Sequence, residues 1–196
     1  MGLRRAVTAS IEDGRAFERT GGNLAAQFGS VRCPAHRHDQ ALGMTAPVRR
    51  ALGELLPPLR GVLASALGAG AELWELAAMV SDPGAAEQAL HRDTRFAESD
   101  RGEAPVLVTI FVALQDVEPS MGPTFVLPCT HSEPAFRAAP ALAAFHGAPL
   151  ACADAKRKAG ERVVAQRRAP LLRRGEALLF DSRLMHGGGP NRSRKR

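Results

Sequence analysis

The stretch Gln88-Ala89-Leu90-His91-Arg92-Asp93-Thr94 constrains this chain more than any other, because it sets an imidazole and a carboxylate two residues apart. In an extended backbone the side chains alternate between faces, so His91 and Asp93 point the same way and converge on one point. A second histidine of this kind, His186, follows the strand-like run that leads into Phe180-Asp181-Ser182-Arg183-Leu184-Met185. The two histidines are far enough apart in sequence for a second strand to return across a barrel. Two imidazoles and one carboxylate on one face of an ion, with the opposite positions open, form the donor set of a non-haem Fe(II) centre.

The chain has 196 residues and 45% hydrophobic content, which suits one domain, residues 1–196, with one core. Its formal charge of +6 invites a nucleic-acid reading. The basic residues are mostly arginines spread among acids, however, so general surface charge accounts for them. Three cysteines, Cys33, Cys129 and Cys152, are odd in number and contain no Cys-x-x-Cys pair, which fits a reducing compartment. No apolar run reaches the roughly 20 residues of a membrane span. Ala6 stands where myristoylation favours Ser or Thr, and the last residues are no peroxisomal address. The expected setting is the cytoplasm, with no membrane partner.

Residues 1 to 45 show no clean period and are expected to form loops and short helices outside the barrel, part of a helical support spanning 1–70. Within them Cys33, His36, His38 and Asp39 read as a polar loop rather than a zinc site, since no second pair follows at finger spacing. Thr45-Ala46-Pro47 starts a helix, and Val48, Leu52, Leu55 and Leu56 continue it until Pro57-Pro58 breaks the run. A second helix runs from Leu59 to Gly68 or Gly70.

From Glu72 the period changes, and 72–196 reads as a β-structured core. Residues 73–80 suggest a half-buried strand with Trp74 in the core, and Asp82-Pro83-Gly84 a turn. Residues 105–114 form the clearest strand, buried on both faces. Thr109, its single polar residue, is either a good β-former or a hydrogen-bond donor to a bound acid. Glu118–Pro123 is a turn and Thr124–Leu127 a strand. An Ala-rich helical stretch around 136 to 145 and the basic run Lys156-Arg157-Lys158 read as a solvated insert. Leu171-Leu172, a turn at 173–176 and Ala177–Phe180 read as a hairpin leading to His186.

These pieces resemble the phytanoyl-CoA dioxygenase family of Fe(II)- and 2-oxoglutarate-dependent oxygenases. The resemblance is carried by Ser81-Asp82-Pro83-Gly84 before His91-x-Asp93, by Gly122-Pro123-Thr124 and Leu127-Pro128-Cys129-Thr130-His131, and by Gly175-Glu176 running to His186-Gly187-Gly188-Gly189-Pro190-Asn191. It implies a mainly β double-stranded β-helix, a cupin-like jelly roll, with flanking helices. It also implies Fe(II) held by His91, Asp93 and His186, with 2-oxoglutarate and O2 as co-substrates and a small organic molecule as substrate. Asp93, where halogenating relatives carry a small residue, points to hydroxylation. Cys129 stands where the family usually has glycine, which bears on turn geometry, and His131 falls outside the triad.

The family's arginine for the far carboxylate of 2-oxoglutarate follows the distal histidine by about ten or eleven residues, as a planar guanidinium suits a carboxylate. Arg196 lies ten residues beyond His186, with Arg192 and Arg194 as alternatives at poorer spacing. The resemblance would put this arginine on a further strand, and a barrel lacking that strand is expected to leave an edge open to self-association. Two other functions compete with the oxygenase. One is a non-catalytic or truncated metal-binding member of the same fold, and the other is a nucleic-acid module using Arg192, Arg194, Lys195 and Arg196.

Overall fold

A computed structural model of the chain describes residues 2–19, 36–94, 104–131 and 166–196. Cys33, Cys152, the Ala-rich stretch around 136 to 145 and the basic run 156–158 lie outside the described residues.

The first element is a 17-residue helix, α1 (Leu3–Arg19). Leu3, Val7 and Ile11 recur every fourth residue and form one stripe. Val7 and Ile11 are buried against Ala78, with Leu42, Val80 and Leu114 packed around them. Burial of two such side chains contributes about 1.5–3 kcal/mol each. Over Leu3–Arg19 this long helix stands where loops and short helices were expected, and residues 20–35 lie outside the described residues. Its period was masked by Arg4, Arg5, Glu12 and Asp13, which occupy the outer face.

A strand also stands where a polar loop was expected. β1 (Arg37–Ala41) pairs antiparallel with β2 (Ala77–Ser81), His38 opposite Val80 and Gln40 opposite Ala78. The His38 and Gln40 face looks toward α1, where the Gln40 amide meets the Ser10 hydroxyl. β1 has almost no apolar residue, so pairing with β2 rather than strand propensity makes it extended.

α2 (Ala46–Leu67) is one helix, not two. Thr45 is at its N-cap without a side-chain cap bond, and Gly68, at φ 87°, ends it. Pro57 and Pro58 remain inside because the carbonyls they leave unbonded, those of Gly53 and Glu54, belong to exposed residues that water can serve. Trp74 is 83% exposed rather than in the core, since it precedes β2 and nothing covers it among the described residues.

The remaining strands form two antiparallel pairs. β3 (Val108–Val112) pairs with β5 (Ala177–Asp181), and β4 (Thr124–Val126) with β6 (His186–Gly188). β3 is half-buried along its length rather than buried on both faces, because β5 is its sole ladder partner among the described strands. The predicted hairpin also changes partners. The turn at 173–176 closes through Glu176 N–H to the Arg173 carbonyl, with Gly175 at φ 91°, but Leu172 faces Val117 and β5 pairs with β3. The 171–176 segment therefore continues the β3–β5 ladder instead of folding back on β5. Gly84, at φ 87° after Pro83, completes a type II turn closed by Ala85 N–H to the Asp82 carbonyl.

Candidate metal centre

The Gln88–Thr94 segment adds itself to the free side of β6. Gln88 N–H donates to the Gly188 carbonyl (2.9 Å), and His91 and His186 exchange both backbone hydrogen bonds. The Gln88 side chain accepts from Gly188 N–H at 2.8 Å, which locks the register. Close packing on β6 from several sides explains the glycines: a Cβ at Gly188 would stand 2.5 Å from the Arg37 guanidinium and 2.8 Å from Gln88 Oε1, and one at Gly187 would stand 2.8 Å from the Phe125 ring.

Three side chains meet at this seam. The Nε2 atoms of His186 and His91 lie 3.5 and 3.9 Å from Oδ1 of Asp93, and the ligand atoms of all three fall within 4.8 Å of one another. The other ring nitrogens are already committed. His91 Nδ1 is 2.8 Å from the Ala89 carbonyl and His186 Nδ1 2.9 Å from the Leu184 carbonyl. A carbonyl only accepts, so each Nδ1 carries the proton and each Nε2 presents a lone pair to the common point. Two neutral imidazoles and a carboxylate arranged in this way fit a divalent first-row metal.

The surroundings support that donor set. Burial of Asp93 opposes its ionisation, but His186, the Thr109 hydroxyl and His91 outweigh it and hold the carboxyl below its usual range, the two rings acting in this way when they are protonated at Nε2, where a metal would take the proton's place. The Thr109 hydroxyl donates to Asp93 Oδ2 at 3.1 Å. In this structure the Thr109 hydroxyl is on the candidate ligand, where the sequence left it as either a good β-former or a donor to a bound acid. Phe180 and Phe111 wall the His186 ring, with centroids at 4.7 and 6.5 Å. The side chain of His186 is 4% exposed and that of Asp93 36%, so the point opens on the Asp93 side.

Arg196 is placed elsewhere. Its guanidinium meets Asp82 at 2.5 Å, its backbone carbonyl accepts from the Gln115 amide, and Asp82 also holds His38 at 3.1 Å. The residues after Asn191 fold back toward the Asp82 turn because Asn191 donates to the Ser81 and Lys195 carbonyls. Cys129 adopts φ 65°, the left-handed conformation that the missing glycine would take at no cost, and His131 is exposed.

The sequence reading missed Gln88, whose amide fixes the ligand register, and the Asp181–Arg183 pair beneath His186. The Asp-x-Arg spacing was visible, but nothing local marks such a pair as buried.

The phytanoyl-CoA dioxygenase family model matches residues 6–196. Two solved structures share the fold. The crystal structure of EvdMO1 is 20% identical with a TM-score of 0.59 over 97% of this chain and 41% of that one. That of AviO1 from Streptomyces viridochromogenes Tue57 is 20% identical with a TM-score of 0.51 over 95% of this chain and 76% of that one. This chain thus spans less than half the length of the first. No curated protein matches it. No helix among the described residues is long and apolar enough to cross a membrane. With its mainly β, jelly-roll fold and flanking helices, and a candidate His-Asp-His metal site at its centre, the chain belongs to the phytanoyl-CoA dioxygenase family.

Proposed function

We propose that the chain is an Fe(II)- and 2-oxoglutarate-dependent dioxygenase that hydroxylates a small organic substrate in the cytoplasm. The observation that carries this reading is the convergence of two Nε2 lone pairs and the Asp93 carboxylate on one point, with both Nδ1 atoms tied to backbone carbonyls. His91, Asp93 and His186 would hold the iron, which when bound supplies the redox chemistry for activating dioxygen, with the 2-oxo acid as reductant.

The chain's own residues do the rest. Thr109 fixes one Asp93 oxygen and leaves the other facing the histidines. Phe111 and Phe180 keep water from the His186 side of the centre, so its electrostatic interactions are only weakly screened. The half-exposed Asp93 edge is the side from which co-substrate and substrate approach.

A second reading, a metal-binding member without turnover, is favoured by the commitment of Arg196 to Asp82. In the oxygenase reading Arg196 exchanges Asp82 for the far carboxylate of 2-oxoglutarate. Anaerobic addition of Fe(II) and 2-oxoglutarate to wild type, His91→Ala and Arg196→Ala separates the two readings. A visible charge-transfer band that is lost in His91→Ala and weakened in Arg196→Ala supports the oxygenase. Iron binding without a band favours the second reading, and absence of iron binding defeats both.

A further inference from the structure

Beneath the two histidines lies a charged pair that the triad itself does not use. Arg183 is fully buried, and so is Ser182 beside it. The Arg183 guanidinium grips Asp181 through Nε at 2.9 and 3.2 Å and through Nη2 at 2.6 Å, and Nη2 also donates to the Ala104 carbonyl at 2.8 Å. Asp181 Oδ1 accepts Arg183 N–H at 2.9 Å, and Leu184 N–H closes the turn on the Asp181 carbonyl at 2.8 Å. One carboxylate thus folds the turn and one guanidinium fastens it.

This turn touches both halves of the centre. Its Ser182 carbonyl accepts Asp93 N–H (2.9 Å) and Thr94 N–H (3.1 Å), and the Ser182 hydroxyl meets that of Thr94 at 2.7 Å. Its last residue, Leu184, supplies the carbonyl that holds His186 Nδ1. His91 uses the same local arrangement two residues back, but on Ala89, which no part of the turn contacts through these bonds. A buried ion pair contributes little to stability in net terms, because desolvation cancels much of its attraction. Its geometric effect is therefore the more informative one.

We infer that Asp181 and Arg183 are positioning residues that hold the Ser182–Leu184 turn so that Asp93 and the His186 ring meet at metal-binding distance. The inference rests on reading the triad as a metal centre, and carboxylate and carbonyl partners behind metal ligands commonly govern affinity.

The test uses the whole chain labelled with 15N-histidine. In the metal-free wild type, Nδ1–H resonances are expected for both His91 and His186. In Arg183→Met the His186 Nδ1–H signal is expected to shift or exchange away while that of His91 persists, and Co(II) affinity by calorimetry to fall about 10–100-fold. Arg183→Lys, which keeps the charge but not the fork, is expected to fall between. Asp181→Asn serves if Arg183→Met fails to fold, since it leaves Arg183 its bond to the Ala104 carbonyl. Folded variants with both histidine signals unchanged and Co(II) affinity within about twofold of wild type would overturn the inference, because that margin lies well inside the expected effect. If the wild type binds no Co(II), the metal reading fails separately, and the metal-free histidine signals still decide the positioning role.

Discussion

His91 and His186 are each other's backbone partners: His91 N–H donates to the His186 carbonyl at 2.9 Å and His186 N–H to the His91 carbonyl at 2.8 Å. Two directly opposed residues of an antiparallel pair send their side chains to the same face of the sheet. The imidazoles, with ring centroids 4.5 Å apart, therefore meet through main-chain geometry before any metal arrives.

Because the bridge is made by backbone atoms, truncating either ring should abolish metal binding and leave the fold intact. His91→Ala and His186→Ala are each expected to show no Co(II) binding by calorimetry, with an unchanged β-sheet circular dichroism spectrum. Loss of that spectrum would mean that the rings also hold the seam together.

Thr109→Val removes the hydrogen bond to Asp93 Oδ2 and keeps the side-chain shape on β3. The metal dissociation constant should rise about tenfold, the lower range for losing a partner of a ligand. Thr109→Ser, which retains the hydroxyl, should restore most of the affinity.

Asp39 is shifted in the opposite direction to Asp93. Burial, then Glu75 and Asp93, raise its carboxyl above the ordinary 3.8. The folded state therefore holds this proton more tightly than the unfolded one, and the contribution of Asp39 to stability declines as pH rises from its unfolded value through its folded value. Asp39→Asn should raise the melting temperature at pH 7 and lessen the fall in stability over that window. An unchanged pH profile by calorimetry would contradict this.

Cys129 occupies φ 65°, a conformation that costs an ordinary L-residue about 1–2 kcal/mol. Part of that gain is offset because glycine loses more chain entropy on folding. Cys129→Gly should accordingly stabilise by about 1 kcal/mol in urea denaturation, with the m-value unchanged.

Gly122 lies against the return of the chain after β6. A Cβ there would come within 2.3 Å of the Gly189 carbonyl oxygen, and its φ of 72° disfavours any other residue. Gly122→Ala should destabilise by roughly 3 kcal/mol or more, combining backbone strain with a clash that no side chain can relieve. Denaturation that matches wild type would show that the 189–190 backbone moves aside freely.

The His91-x-Asp93 pair was legible because its information is local. A His-x-Asp in an extended segment aims two side chains together by the period of the strand, and the ordered Gly, Pro and His motifs singled out His186 as the third candidate. Turns written in Asp-Pro-Gly and Arg-Gly-Glu were legible for the same reason, since positive φ and fixed Pro φ are properties of single residues. The length of α1, the continuity of α2 across Pro57-Pro58 and the strand at Arg37–Ala41 were not. Each depends on where water reaches or on which neighbour offers a ladder, and neither is encoded within a window of a few residues.

What the sequence by itself determined is a candidate donor set, His91, Asp93 and His186, and, through spacing alone, the common face of His91 and Asp93. Only the tertiary structure decided that His91 faces His186 in register, that Thr109 serves Asp93, that Arg196 turns to Asp82, and that a buried Arg183 braces the turn between the ligands. The physical reason is that hydrogen-bond and ion-pair partners are chosen by proximity after folding. Charged side chains such as Arg196 and Arg183 look alike in sequence until folding buries one against Asp181 and leaves the other on Asp82, partly in solvent.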